Sequence, residues 1–289
     1  MPDHIPYPFT AKKISIDGNR LAYLDEGQGP VIVMLHGNPT WSFYYRNLVT
    51  LLRDRCRVIV PDHMGCGNSD KPQQYPYVLR AHIDNLEYLL DELNIEKYSL
   101  IVHDWGGAIG MGLAARQPSR IESLVILNTA AFRSTRIPLR ISICRIPVVG
   151  DILVRGLNGF AGAAISMAVT RPLPLDVIKC YLQPYDSWAN RIALLRFVQD
   201  IPLSPKDASW GTLLEVEKGL NLFRQTPMLI LWGGKDFCFT RYYFDEWVQR
   251  FPNAVKHFFP DAGHYVLEDA LEEISPLLTT FFQEHLPKQ

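Results

Sequence analysis

The chain has 289 residues, 47% of them apolar and 20% charged. That is the composition of an ordinary globular protein, long enough to bury a sizeable core as one large domain or a domain with an insertion. A net charge of −1 argues against nucleic acid as a main partner, because phosphate binding needs a basic surface.

No uncharged apolar run reaches the ~18 residues of a membrane span. Met1 to Thr10 lacks the basic start and apolar run of a signal peptide. Cys56, Cys66, Cys144, Cys180 and Cys238 are scattered, with no spacing that suggests zinc. They read as reduced thiols of a cytoplasmic protein, and neither a metal nor a cofactor is expected.

Lys12 to Asp17 and Arg20 to Asp25, split by Gly18-Asn19, read as a β-hairpin. Val31 to Leu35 is wholly apolar, as a buried parallel strand should be. A loop follows, His36-Gly37-Asn38-Pro39-Thr40-Trp41, and then a helical stretch over 42–52. Arg57 to Pro61 is another buried strand. Asp62 to Asp70 is turn-forming and reads as structural. The spacing of Ile83, Leu86, Leu89, Leu90 and Leu93 predicts a helix over 78–93.

The chain is organised around the next stretch. The strand Tyr98 to Val102 runs into His103-Asp104-Trp105, and a small-residue helix, Gly106 to Ala115, leads out. Strand, sharp turn and helix make the setting of a nucleophile elbow. Here the side chain at the turn is the carboxylate of Asp104, and Val102 stands where the usual G-x-S-x-G has glycine. The glycines at 106, 107, 110 and 112 would let helix, turn and sheet approach closely. The alternative is that Asp104 merely caps the helix.

A strand at Leu124 to Asn128 completes a run of alternating strands and helices, the mark of a parallel sheet covered on both faces. The alternation resumes at Met228 to Trp232 and Val255 to Phe259 and ends in a helix over 269–284. We therefore expect an α/β protein, with residues 1–129 and 216–289 as the core domain. Residues 130–215 form an inserted helical cap over the strand ends, where ligands of open α/β sheets sit. From Arg133 to Arg171 the cap carries arginines at 133, 136, 140, 145, 155 and 171 against one acid, Asp151, with apolar residues between. Such a pattern suits a membrane-facing or partner-facing surface. A solvated face over an apolar pocket is the reading we favour.

Three loops converge on Asp104. Asp236 follows one strand in Gly-Gly-Lys-Asp, and His264 follows the last strand in Asp-Ala-Gly-His-Tyr. Nucleophile, acid and base in that order along the chain is the order of the α/β-hydrolase triad. The loop His36-Gly37-Asn38 would supply a backbone N–H that forms an oxyanion hole with that of Trp105. An aspartate, with an unperturbed pKa of ~3.9, is ionised at neutral pH and can displace a leaving group from saturated carbon, forming an ester. His264, oriented by Asp236, would then activate water. The indole N–H of Trp105 and the side-chain amide of Asn38 are the donors available to a departing anion. Alternatively, Asn38 is a turn residue and Trp105 a pocket wall.

The motifs HGNPTWS, DHxGxGxSDKP, VHDWGG, WGGKD and DAGHY, spread over residues 36–265, resemble the haloalkane dehalogenase family of α/β-hydrolases. The resemblance implies a mostly parallel eight-stranded sheet with an inserted helical cap. It makes Asp104 the nucleophile, His264 the base, and Asn38 with Trp105 the pair that stabilises the leaving group. One branch of that family carries its acid at the position of Asn128. Asparagine there leaves Asp236 as the acid, as in the family's third subfamily. The stretches Asn128 to Phe132 and PYDSWANRIALLRFVQDIPLSP (184–205) are similar to the β-lactone decarboxylases of long-chain olefin biosynthesis. That likeness implies an apolar cis-β-lactone with two alkyl chains, converted to a cis-olefin and carbon dioxide. It also implies assembly with other enzymes of that pathway and a product released near a membrane. A homo-oligomer is open as well.

Asp104 could attack either the ring carbon bearing the alkoxy oxygen or the lactone carbonyl. A hydrolytic haloalkane dehalogenase is the alternative activity. An epoxide hydrolase would need a cap tyrosine as acid, for which Tyr181 and Tyr185 are candidates. The non-enzyme reading is a binder built on a hydrolase shell, against which an intact triad speaks.

Overall fold

The computed structural model describes residues 7–286. The signal-peptide reading of Met1 to Thr10 falls largely outside them. An eight-stranded sheet runs through the chain in the order β1-β2-β4-β3-β5-β6-β7-β8. β1 (Lys12–Ile16) and β2 (Asn19–Glu26) form the expected hairpin, and β2 pairs antiparallel with β4 (Arg57–Pro61). All later pairings are parallel, through β3 (Val31–Leu35), β5 (Tyr98–Asp104), β6 (Ile121–Thr129), β7 (Met228–Gly233) and β8 (Val255–Phe259).

The apolar runs work because both faces of the sheet are covered. Successive side chains alternate between two cores. Val33, Leu35, Leu100, Val102, Leu124 and Ile126 face one core. Ile32, Met34, Ile101, Val125 and Leu127 face the other. The first core is closed by α2 (Leu79–Glu92), α3 (Trp105–Arg116), α8 (Trp210–Gly219) and α9 (Arg241–Arg250). The second is closed by α1 (Arg46–Leu52) and α11 (Leu271–His285). Truncating one such residue, Ile101→Ala for instance, would cost about 2–5 kcal/mol.

Several expectations shift in detail. The helical stretch at 42–52 is a tight turn, Ser42–Tyr45, followed by α1. The final helix is α11, and a short helix absent from the expectation, α10 (Val266–Asp269), precedes it. α9 has no counterpart in the sequence reading. Between β6 and α8 lie α4 (Leu139–Arg145), a wide helical turn at Asp151–Gly156, α5 (Gly159–Met167), α6 (Leu175–Leu182) and α7 (Ile192–Gln199), with no strand. α8 itself packs on α2 and α3. No helix among the described residues is long and apolar enough to cross a membrane.

Candidate active site

Asp104 ends β5 with φ 51° and ψ −125°, a conformation that side-chain-bearing residues seldom adopt. It makes no capping hydrogen bond from its side chain, so the helix-cap alternative fails. The sharp turn is possible because its neighbours are small. A Cβ on Gly106 would overlap the carbonyl of Leu35, one on Gly107 the side chain of Thr129, and one on Gly37 the carboxylate of Asp104. The Thr129 hydroxyl donates to the Asp104 carbonyl and holds the turn from the neighbouring strand.

The Asn38 backbone N–H donates to Asp104 Oδ1 at 2.7 Å. The Trp105 N–H also favours the charged carboxylate. The other oxygen, Oδ2, lies 3.7 Å from His264 Nε2. His264 Nδ1 sits 2.7 Å from Asp236 Oδ2. Asp236 is itself held on every side. Its Oδ1 accepts the backbone N–H groups of Cys238 and Phe239 at 2.6 and 3.0 Å, and its Oδ2 accepts the Asn128 amide at 2.9 Å. Asn128 is fastened in turn to both backbone groups of Gly233.

Burial pushes Asp104 above the ordinary carboxylate range, against the pull of His264 and the two N–H groups. Burial would lower His264, but the charge and hydrogen bond of Asp236, with Asp104 beyond, outweigh it and raise the imidazole above its ordinary value. The pair thus favours a carboxylate facing an imidazole that readily takes a proton.

Supports that the sequence reading passed over hold the loop before Asn38. The His63 backbone N–H donates to His36 Nε2 at 3.0 Å, and its ring Nε2 lies 2.9 Å from the His36 carbonyl. The stretch at 62–70 is structural, as expected. Asp62 accepts the N–H groups of Ser42 and Asn68, and a Cβ on Gly67 would overlap its carboxylate. On the far side, Arg46 reaches Glu268 with two bonds of 2.6 and 2.9 Å, pinning α1 to the segment just after His264.

Asp104, His264, Asn38 and Trp105 all line one cavity of about 260 Å³. Its other walls are overwhelmingly apolar, including Phe132, Ile141, Phe160, Met167, Leu203 and Phe239. The Asn38 amide donates to the Leu194 carbonyl at 3.0 Å, which leaves its second N–H for the cavity. The Trp105 indole N–H has no acceptor among the described residues, and its ring packs on Phe197 with centroids 5.2 Å apart. An apolar chamber with one carboxylate, one imidazole and two donors can bind a greasy electrophile, attack it and hold what leaves. Tyr181 donates to Glu268 and Tyr185 to the Thr40 carbonyl. Neither lines the cavity, which removes the acid that an epoxide hydrolase would need.

A family profile described as the alpha/beta hydrolase fold matches residues 30–141. Haloalkane dehalogenase 2 of Mycobacterium bovis is 31% identical over 97% of this chain and 98% of its own length. The chain belongs to the haloalkane dehalogenase family. Its shape agrees: the crystal structure of the haloalkane dehalogenase DatA of Agrobacterium tumefaciens superposes with a TM-score of 0.86 at 25% identity, covering 95% of this chain and 96% of that one. Within this family of α/β-hydrolase enzymes, similarity is higher to a protein of Shewanella oneidensis named cis-3-alkyl-4-alkyloxetan-2-one decarboxylase. That protein is 49% identical over 96% of this chain and 89% of its own.

Proposed function

We propose that the protein is a cis-β-lactone decarboxylase, converting a 3,4-dialkyl-oxetan-2-one to a cis-olefin and carbon dioxide. The observation that carries this is the 49% identity, along nearly the whole chain, to the Shewanella oneidensis decarboxylase. An apolar cavity around a single buried carboxylate supports it.

In this reading Asp104 is the nucleophile. Oδ2 bonds to the ring carbon that bears the alkoxy oxygen, and that carbon–oxygen bond breaks. Its electrons stay on the oxygen, which becomes part of a carboxylate on the adjacent carbon. The Asn38 amide and the Trp105 indole hold that carboxylate. The bond from the adjacent carbon to the carboxylate then breaks, its electrons form the double bond, and the ester bond to Asp104 breaks to restore the free side chain. Carbon dioxide leaves, and neither water nor a net proton is consumed. Attack inverts the first carbon. Loss of the two groups from opposite sides then returns both alkyl chains to one side, so a cis ring gives a cis olefin. Attack at the carbonyl is the weaker route, because the ring oxygen would have to depart later as hydroxide.

His264 and Asp236 keep Asp104 ionised in its dry pocket through the charge of the imidazole. Five free cysteines among the described residues suit a reducing compartment, and we assign the protein to the cytoplasm. An apolar product suits assembly with other enzymes of the same route. Residues 130–215 act as the cap over the site.

The second reading, a hydrolytic haloalkane dehalogenase, is favoured by the joint presence of Asn38 and Trp105 beside an imidazole able to activate water. Incubation with a synthetic cis-β-lactone beside a 1-haloalkane panel separates the two. Olefin from the lactone, with little alcohol from the halides, supports the first. Alcohol and halide alone support the second.

A further inference from the structure

α4 has two faces with different surroundings. Ile141 and Cys144 point into the cavity, and Arg136 and Arg140, both exposed, stand on its rim. The opposite face is apolar and uncovered. Leu139 is 77% exposed, and the apolar residues continue into the following turn with Ile146, Val148 at 68%, Ile152 and Leu157 at 71%. Single exposed apolar residues are ordinary, but a run of them along one segment marks a contact surface.

The turn after α4 is closely packed on itself. The Gly150 N–H donates to the Ile146 carbonyl at 2.7 Å, and a Cβ on Gly150 would overlap the Cys144 carbonyl. Val148 is held at φ 66°, a conformation strained for a β-branched residue.

Charge decides what covers this face. Residues 130–150 contain Arg133, Arg136, Arg140 and Arg145 and no acid. Arg133 is paired with Glu217 and Arg145 with Asp207. Arg136 and Arg140 have no carboxylate partner among the described residues. They lie instead over the rings of Tyr242 and Phe237, 4.1 and 4.8 Å from the centroids. Two unpaired arginines at the cavity edge of this apolar face, whose one acid, Asp151, is paired with Arg155, are complementary to a surface with an anionic skin and an apolar interior.

We infer that this face, α4 with the turn at 146–157, seats the protein on an anionic lipid bilayer, with the cavity rim at the membrane. A helix is about 10 Å across with its side chains, so one helix separates lipid from the cavity. An alkyl-chain substrate or product could then pass between bilayer and cavity with little travel through water. The surface assignment stands on exposure and charge alone and holds whichever electrophile the site turns over.

The test is flotation of the whole protein with vesicles, at low salt, using phosphatidylcholine alone or equal parts phosphatidylcholine and phosphatidylglycerol. Binding should be at least tenfold tighter to the anionic vesicles, since each arginine near such a surface adds several-fold, and should weaken as salt rises. The double variant Leu139→Ser with Val148→Ser should keep its melting temperature and lose at least tenfold in vesicle affinity. No flotation, equal affinity for both vesicles, or an unchanged double variant overturns the inference. So does a concentration-dependent dimer that the double variant dissolves, which would give the face to a second copy of the chain.

Discussion

Asp104 Oδ2 and His264 Nε2 are 3.7 Å apart, close enough for charge to matter and too far for a hydrogen bond. Oδ2 is therefore not tied to the imidazole, and Asp104 lines the cavity, as the proposed attack requires. The sister oxygen is held by the Asn38 N–H, which fixes the plane of the carboxylate.

Asp104→Asn keeps the shape and removes the charge. Turnover of either substrate class should fall by a factor on the order of 10³ or more, with the melting temperature unchanged or raised, because a buried charge has been removed. Residual turnover near the parent rate would show that another group attacks.

His264→Ala separates the chemistries. In a decarboxylase the imidazole supplies charge and not a base, so a measurable share of lactone turnover should survive. With a 1-haloalkane the same variant should stall as an ester. Intact-mass measurement should then show the gain of one alkyl group, mapped to Asp104.

The dependence on pH follows from the same pair. His264 is raised above its ordinary value, so it gains its proton at a higher pH than a free imidazole. A step that needs neutral imidazole, such as activation of water, is lost as pH falls through that raised value. Decarboxylation needs only the Asp104 carboxylate, and its acid limb should lie lower. That limb should still lie above the ordinary carboxylate range, since burial raises Asp104. Rate profiles for lactone and halide should therefore separate on the acid side and not on the alkaline side.

Asn38→Ala and Trp105→Phe should each lower kcat by roughly 10²–10³ if their N–H groups hold the departing anion. Trp105→Phe is the cleaner variant, because it retains the packing on Phe197. A change confined to KM would reduce both residues to walls.

Removing the Arg46 guanidinium should be a stability defect. Arg46→Ala takes the cation from buried Glu268 and leaves it only the Tyr181 hydroxyl, at a cost of about 3–5 kcal/mol. Denaturant unfolding would measure it. Because Glu268 follows His264 closely, a fall in kcat should accompany the loss.

Much of this was legible in the chain. Wholly apolar five-residue runs such as Val31 to Leu35 read as strands buried on both faces, and their alternation with helices read as a parallel sheet. Asp104, Asp236 and His264 were legible because each follows a strand-like run, although the run before His264 carries Lys256 and His257. α9 was not, because its Tyr243, Phe244 and Trp247 are aromatics of weak helix propensity that earn their place by tertiary packing. β6 also runs on through Asn128 and Thr129, polar residues buried only because Gly233, Asp236 and the Asp104 carbonyl take up their hydrogen bonds. Asn128 marked the absence of an acid in the sequence. Its place as a donor to the acid on the next strand appears only in three dimensions.

The most direct measurement is turnover of a cis-3,4-dialkyl-oxetan-2-one carrying oxygen-18 in the ring position. Attack by Asp104 on the alkoxy-bearing carbon predicts cis-olefin and carbon dioxide that retains the label, with no solvent oxygen in the olefin. A labelled β-hydroxy acid, or olefin accompanied by unlabelled carbon dioxide, would contradict the account.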